Sequence, residues 1–214
     1  MRMINLSFFL MLDTTIFWIE FKIYFSELRI KMTHLGTKTI ETDRLCLRKL
    51  SVNDAEAMYK NWESDSEVTK YLTWPPHESI ETTKKLLSLW SKDYRKEDCY
   101  QWGIELKSIG EVIGTISVVG KRDEIDMVHI GYCIGRAWWH QGIMTEALSA
   151  IIDFFFNEVG CNRIESRHDT NNPHSGDVMK KCGMRVEGTK RSADINNQGI
   201  CDVIEYAVLR CDYL

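Results

Sequence analysis

Residues 127–160 constrain the fold more than any other stretch. "MVHIGYCIG" alternates, and Val128, Ile130, Tyr132 and Ile134 share one face, the period of a strand. "RAWWHQG" then turns the chain. In "IMTEALSAIIDFFFNEVG", Met144, Ala147, Leu148, Ile151, Ile152 and Phe155 recur at helical spacing, and Gly160 marks the end. A strand that passes through a tight turn straight into a buried helix leaves backbone N–H groups unpaired at the helix start. The helix dipole adds partial positive charge there. Phosphate binds such a place without Lys or Arg. Gly142 has no Cβ and permits close approach, and the Thr145 hydroxyl adds a donor. Neither G-x-x-x-x-G-K-[ST] nor G-x-G-x-x-G is present, which argues against the common nucleotide-binding loops. The blander reading is a glycine that opens a buried helix, with His140 and Gln141 solvated.

The 214 residues suffice for one well-buried domain, read here as residues 39–214. "IETDRLCLRKL" reads as a first strand and "SVNDAEAMYKNW" as a helix. After the Pro-Pro break a second helix starts near Glu78. "CYQWGIELK" and "GEVIGTISVVG" form a hairpin across Lys107–Gly110. Beyond Gly160, "NRIESRH" is a strand and "NPHSGDVMKKCG" a helix, with Asn172 at its cap and Pro173 at its first position. "MRVEGTKR" and "GICDVIEYAVLR" close the chain as antiparallel strands joined at Asn196–Gly199. The order is β-α-α-β-β-β-α-β-α-β-β. It predicts a mixed α/β fold with one central twisted sheet of about seven strands and about four helices.

The formal net charge is -4, which gives no electrostatic case for nucleic acid. There are seven cysteines and no C-x-x-C pair, the usage of reduced thiols in a cytoplasmic protein; their spacing does not suggest zinc, and no metal is expected. Residues 1–31 are apolar and aromatic, but Asp13 interrupts the run, so no membrane span of about 20 apolar residues is available. Met32 reads as a natural start, which makes residues 1–31 an upstream extension. A surface-lying amphipathic anchor is the other reading.

The strand "HIGYCIG", the turn "WWHQGIMTEAL" and the later "RHDTNNPHSGDVMKKCGMRVEGTKR" together resemble the GNAT superfamily of acyl-CoA-dependent N-acyltransferases. The likeness is greatest to its ribosomal-protein-alanine N-acetyltransferase branch. It runs from Thr42 to about Leu209 and includes "ETDRLCLR" and "YLTWPPHES". The resemblance implies that the strand–turn–helix unit cradles the pyrophosphate of acetyl-CoA. The family pattern Q/R-x-x-G-x-G/A falls on Trp139, His140, Gln141, Gly142, Ile143 and Met144. His140 stands where Gly is usual, and Met144 where a small residue is usual.

The resemblance further implies direct attack of a primary amine, on a protein N-terminus or a small molecule, at the acetyl carbonyl. That chemistry needs a base for the ammonium, donors for the oxyanion and an acid for the thiolate. The expected oxyanion donors are main-chain N–H groups of Cys133 and Ile134, with Gly131 and Gly135 permitting the strands to splay. Asn172 and Ser175 match the family's N-x-x-S element, which contacts the pantetheine arm, and the Ser175 hydroxyl is the expected acid. A helix cap alone is the alternative for Asn172. His129 is the first candidate for the base, Glu105 the second and a water relay the third; His168 and Asp169 read as structural. Trp74 and Tyr132 are expected on the acceptor side. The state is monomer or homodimer. A non-catalytic acyl-CoA sensor on the same fold is the alternative function.

Overall fold

The structure, a computed structural model, describes residues 31–213. Residues 1–30 of the expected extension lie outside the described residues. Met32–Leu214 forms a compact unit.

Its strands are β1 (Ile40–Glu41), β2 (Leu45–Arg48), β3 (Gln101–Leu106), β4 (Glu111–Arg122), β5 (Met127–Ile134), β6 (Arg163–Asp169), β7 (Arg185–Asn196) and β8 (Gly199–Leu209). They form one mixed sheet in the order β1-β2-β3-β4-β5-β6-β8-β7. Every neighbouring pair is antiparallel except β5–β6. The α-helices are α1 (Ala55–Met58), α2 (Ser66–Thr69), α3 (Ile80–Asp93), α4 (Ile143–Phe154), α5 (Pro173–Lys181) and α6 (Arg210–Tyr213). α1 runs on as a π turn, Tyr59–Glu63, and α4 as another, Phe155–Val159, which stops at Gly160 in the left-handed region.

The α/β class and the central sheet are as expected, and two details differ. The first predicted strand is a small hairpin, because Thr42 N–H donates to Leu45 O and Leu45 N–H donates to Thr42 Oγ1, turning the chain between β1 and β2. The second long helix begins at Ile80 rather than near Glu78, with Ser79 extended at its cap.

Two cores hold the layers. The larger packs α4 and its π turn on the sheet, with Leu47, Trp102, Ile104, Ile151 and Phe155 fully buried. A smaller one on the other face gathers Leu50, Met58, Trp62, Leu87 and Val112 under α1 and α3. Each such side chain contributes roughly 1.5–3 kcal/mol by leaving water. Together they fix β5, whose two halves then behave differently.

Candidate active site

Only the first half of β5 pairs with β6: Met127 with Arg163, Val128 with Ile164, and His129 with Glu165. At the next residue the Ser166 hydroxyl, buried, donates to Ile130 O at 2.8 Å. Beyond that tether β6 stays with β8 out to Asp169 while β5 stays with β4. The sheet therefore opens into a gap from Ile130 onward.

The register decides which amides face that gap. Gly135 N–H donates to Ile113 O at 2.9 Å. In an antiparallel ladder alternate residues point to the same neighbour, so residues 131 and 133 also point to β4. Residues 130, 132 and 134 point the other way. The carbonyls of Ile130 and Ile134 agree, since they accept from Ser166 Oγ and from Trp139 Nε1. The expected Cys133 amide is thus turned away from the gap, whereas the Ile134 amide faces it, joined by that of Tyr132. Burial pushes the Cys133 thiol up to about 12, so no thiolate nucleophile is available there. Gly131 and Gly135 serve close packing rather than splaying: a Cβ on Gly135 would stand 2.3 Å from Asn61 O, and one on Gly131 would stand 2.9 Å from Val119.

The turn after β5 is built as a cradle. Gly142 has φ 73° and His140 φ 58°, both left-handed. His is among the residues that tolerate this region better than most, so His140 can hold it without being a glycine. The main-chain N–H groups from His140 through Thr145 meet no acceptor among the described residues; the first α4 bond of this turn is Glu146 N–H to Gly142 O. Arg44 secures the turn from below. Its Nε bonds Glu146 Oε2 at 2.6 Å and its Nη1 bonds Gln141 O at 3.0 Å. Thr42 Oγ1 takes the other Glu146 oxygen at 2.6 Å. Burial works against ionisation of Glu146, but the bonds from Thr42 and Arg44 outweigh it and keep its carboxyl below the usual range. With that charge neutralised, the amide run remains attractive to an anion.

A cavity of about 270 Å³ lies against this run. Cys133, Ile134, Trp139, His140, Gly142, Ile143, Met144, Thr145, Asn172 and Ser175 all line it. Gln141 does not, because its side chain folds back to Ala137 O at 2.8 Å. His174, Asp177, Val178 and Lys181 of α5 also line the cavity and were missed. Their i, i+3, i+4, i+7 spacing on one helix face was the available signal. His174 meets His140 edge to face, with ring centroids 4.7 Å apart.

A second cavity, about 510 Å³, adjoins the first; Tyr71, Leu72, Tyr132, Asn172 and Ser175 line both. At this junction the Asn172 side chain makes no capping bond to an α5 amide, although its carbonyl accepts Ser175 N–H at 3.2 Å. Its Nδ2 donates instead to Ser175 Oγ at 3.1 Å. An amide nitrogen only donates, so the serine keeps its own proton for another acceptor. Burial drives the Tyr132 phenol far above its ordinary range, and its O–H donates to Ser175 O at 2.8 Å.

His129 and Trp74 line the second cavity. Burial, and then the Arg167 charge, lower the His129 pKa and favour the neutral ring. Its Nδ1 lies 3.9 Å from Glu165 Oε2, and Glu205 completes a close group. Both carboxylates are already paired, Glu165 with Arg163 and Glu205 with Lys190. Glu105 lines neither cavity. Arg48, bridging to Asp54, holds it at 2.6 Å, so the second candidate for the base is structural. His168 and Asp169 also line the second cavity, but Asp169 is spent on Asn171 and Asn196, and His168 Nδ1 sits 2.8 Å from Asp169 O.

The seven cysteines are all free. Among the described residues no helix is long and apolar enough to cross a membrane.

Comparison with known proteins completes the description. Residues 44–185 match the family described as acetyltransferase (GNAT) domain. YoaA of Bacillus subtilis, an uncharacterized N-acetyltransferase, is 31% identical over 80% of this chain and 96% of its own length. The [ribosomal protein uS5]-alanine N-acetyltransferase of Escherichia coli is 24% identical over 70% of this chain and 79% of its own. Among solved structures, a GNAT-family acetyltransferase from Bacillus anthracis superposes with a TM-score of 0.70 at 25% identity, covering 81% of this chain and 99% of that one.

Proposed function

Because the chain belongs to the acetyltransferase (GNAT) family, and is an acetyl-CoA-dependent N-acetyltransferase, we propose a division of labour among its residues and a class of acceptor. The observation that carries the proposal is the unpaired amide run His140–Thr145, set against a cavity that joins a second one at Tyr132 and Ser175. The run holds the diphosphate of acetyl-CoA, and the pantetheine arm enters the gap between β5 and β6. The outward amides of Ile134 and Tyr132 donate to the thioester carbonyl oxygen as charge builds there. No covalent acyl-enzyme is needed, because the amine arrives directly from the second cavity.

His129, neutral in its half-buried setting, takes the proton that the incoming ammonium must lose. Ser175 gives its proton to the departing thiolate. Asn172 positions that hydroxyl by donating to it, and Tyr132 positions the first turn of α5. Trp74 walls the acceptor side. The acceptor is a primary amine, on a protein N-terminus or a small molecule. Turnover of labelled acetyl-CoA against a panel of both kinds tests this reading. Amine-dependent release of free CoA is the expected result; tight CoA binding with no thiol release on any amine would count against it.

A further inference from the structure

Of the charged side chains that this chemistry leaves unused, Glu63 is the most deeply buried among the described residues, at 1% exposure. It sits at the end of the π turn after α1. One carboxylate oxygen accepts Trp62 Nε1–H and the other Trp74 Nε1–H, each at 2.8 Å. His77 Nε2 stands 3.6 Å from the second oxygen, and His77 N–H donates to Glu63 O at 2.7 Å. His77 Nδ1 in turn lies 2.8 Å from the buried hydroxyl of Thr83 on α3. Residues 74–77 are thereby fastened to the smaller core.

The same loop is fastened again from the opposite side. Asn197, in the turn between β7 and β8, donates its N–H to Leu72 O at 3.1 Å. Its Nδ2 donates to Thr69 O at 2.8 Å and to Trp74 O at 2.7 Å. Between the two fastenings Tyr71, Leu72, Thr73 and Trp74 line the acceptor cavity, together with Arg167 and Asp194. Lifting this segment to admit a broad ligand breaks the Asn197 bonds or leaves an indole N–H and a buried carboxylate unpaired.

We propose that Glu63 and Asn197 are positioning residues that hold residues 71–74 as a fixed bridge beside the acceptor cavity, and that this bridge selects amines at the end of a slender chain over amines on a folded surface. The proposal rests on the acceptor reading above and adds to it the residues that enforce selectivity.

The test uses the full chain and two probes, the tripeptide amide Ala-Gly-Tyr-NH2 and folded ubiquitin with its lysine amines. Wild-type protein acetylates the tripeptide in preference. E63Q removes one of the two indole acceptors. N197A removes both side-chain bonds from an exposed turn, where the fold tolerates the change. In each variant the tripeptide KM rises about tenfold, while kcat and acetyl-CoA affinity stay within about twofold, the signature of a positioning role. The preference over ubiquitin shrinks in step. W74F raises KM similarly, and E63Q adds less on top of it than it does alone, since the two share the Trp74–Glu63 bond. Acrylamide quenching of the Trp74 fluorescence, taken as the difference from the matching W74F protein because the chain has seven tryptophans, increases in E63Q and N197A. Calorimetry of wild-type protein with acetyl-CoA separates the two readings: failure to bind the coenzyme defeats the proposed function, while the quenching result still decides whether the bridge is fixed as described. Unchanged preference and quenching in both variants would overturn the proposal. So would wild-type protein that acetylates ubiquitin as readily as the tripeptide, or that binds acetyl-CoA and acetylates neither.

Discussion

On the cofactor side of the cleft, main-chain amides of one short segment, His140–Thr145, have no internal acceptor among the described residues, and all of its residues but Gln141 line a cavity. On the acceptor side, the π turn after α1, the 70–79 loop and the β7–β8 turn are joined by side-chain hydrogen bonds before any ligand arrives. The first region recognises a charge that every molecule of its ligand carries, and backbone geometry suffices. The second must discriminate among amines, so it spends buried side-chain bonds on holding a shape. Substitutions should therefore act by different means in the two regions: through charge and conformation in the first, through lost support in the second.

The largest effect is expected where a side chain intrudes on the amide run. Gly142→Asp places a carboxylate beside the diphosphate, and the repulsion of a few kcal/mol weakens acetyl-CoA binding by roughly 100-fold in calorimetry. Unchanged affinity would remove the amide run from the account. At the junction, Ser175→Ala lowers kcat about 10- to 100-fold while leaving acetyl-CoA affinity within about twofold. Full activity at all pH values would exclude the hydroxyl as the acid.

His129→Gln sharpens the comparison from the acceptor side. Burial and the Arg167 charge lower the His129 pKa, so the active neutral ring persists below the ordinary histidine range. Glu165, Glu205 and Asp194 pull the other way without reversing the shift. Activity attributable to this group is thus complete at neutral pH and is lost as pH falls through the lowered value. His129→Gln abolishes that acidic limb in kcat/KM and lowers the plateau about tenfold. A limb that survives belongs to another group. The smallest effect falls at His140. His140→Gly relieves a left-handed conformation and loses the edge contact with His174, but leaves every amide in place. Acetyl-CoA affinity stays within about threefold. A larger loss would mean that side chains, not backbone, hold the coenzyme.

The contrast also explains what could be read from the sequence. The strand–turn–helix unit announces itself because all of its parts are adjacent and its periodicity switches from two to 3.6 within one segment. The face of β5 was legible for the same reason. Its phase against β4 was not, since the bond from Gly135 to Ile113 joins residues far apart in the chain, and so the Cys133 amide was expected beside that of Ile134, where the Tyr132 amide stands. Glu105 looked available because nothing local reveals Arg48, 57 positions away, which holds it. Asn172 carries the residue type and the following proline of a good cap, yet its amide is diverted to Ser175. Glu63 was invisible as a functional residue. Its adjacency to Trp62 in a helical stripe hinted at burial, but its second partner and the Asn197 clamp, 123 positions from Trp74, exist only in the folded chain.

The most direct measurement follows the 15N–1H resonances of residues 140–145 as ligand is added to the isotope-labelled protein. Titration with CoA should shift these amides strongly, and titration with pantetheine, which lacks the diphosphate, should leave them nearly unmoved while shifting Tyr132 and Ile134. Equal responses to the two ligands, or no response from residues 140–145 to CoA at saturation, would contradict the account.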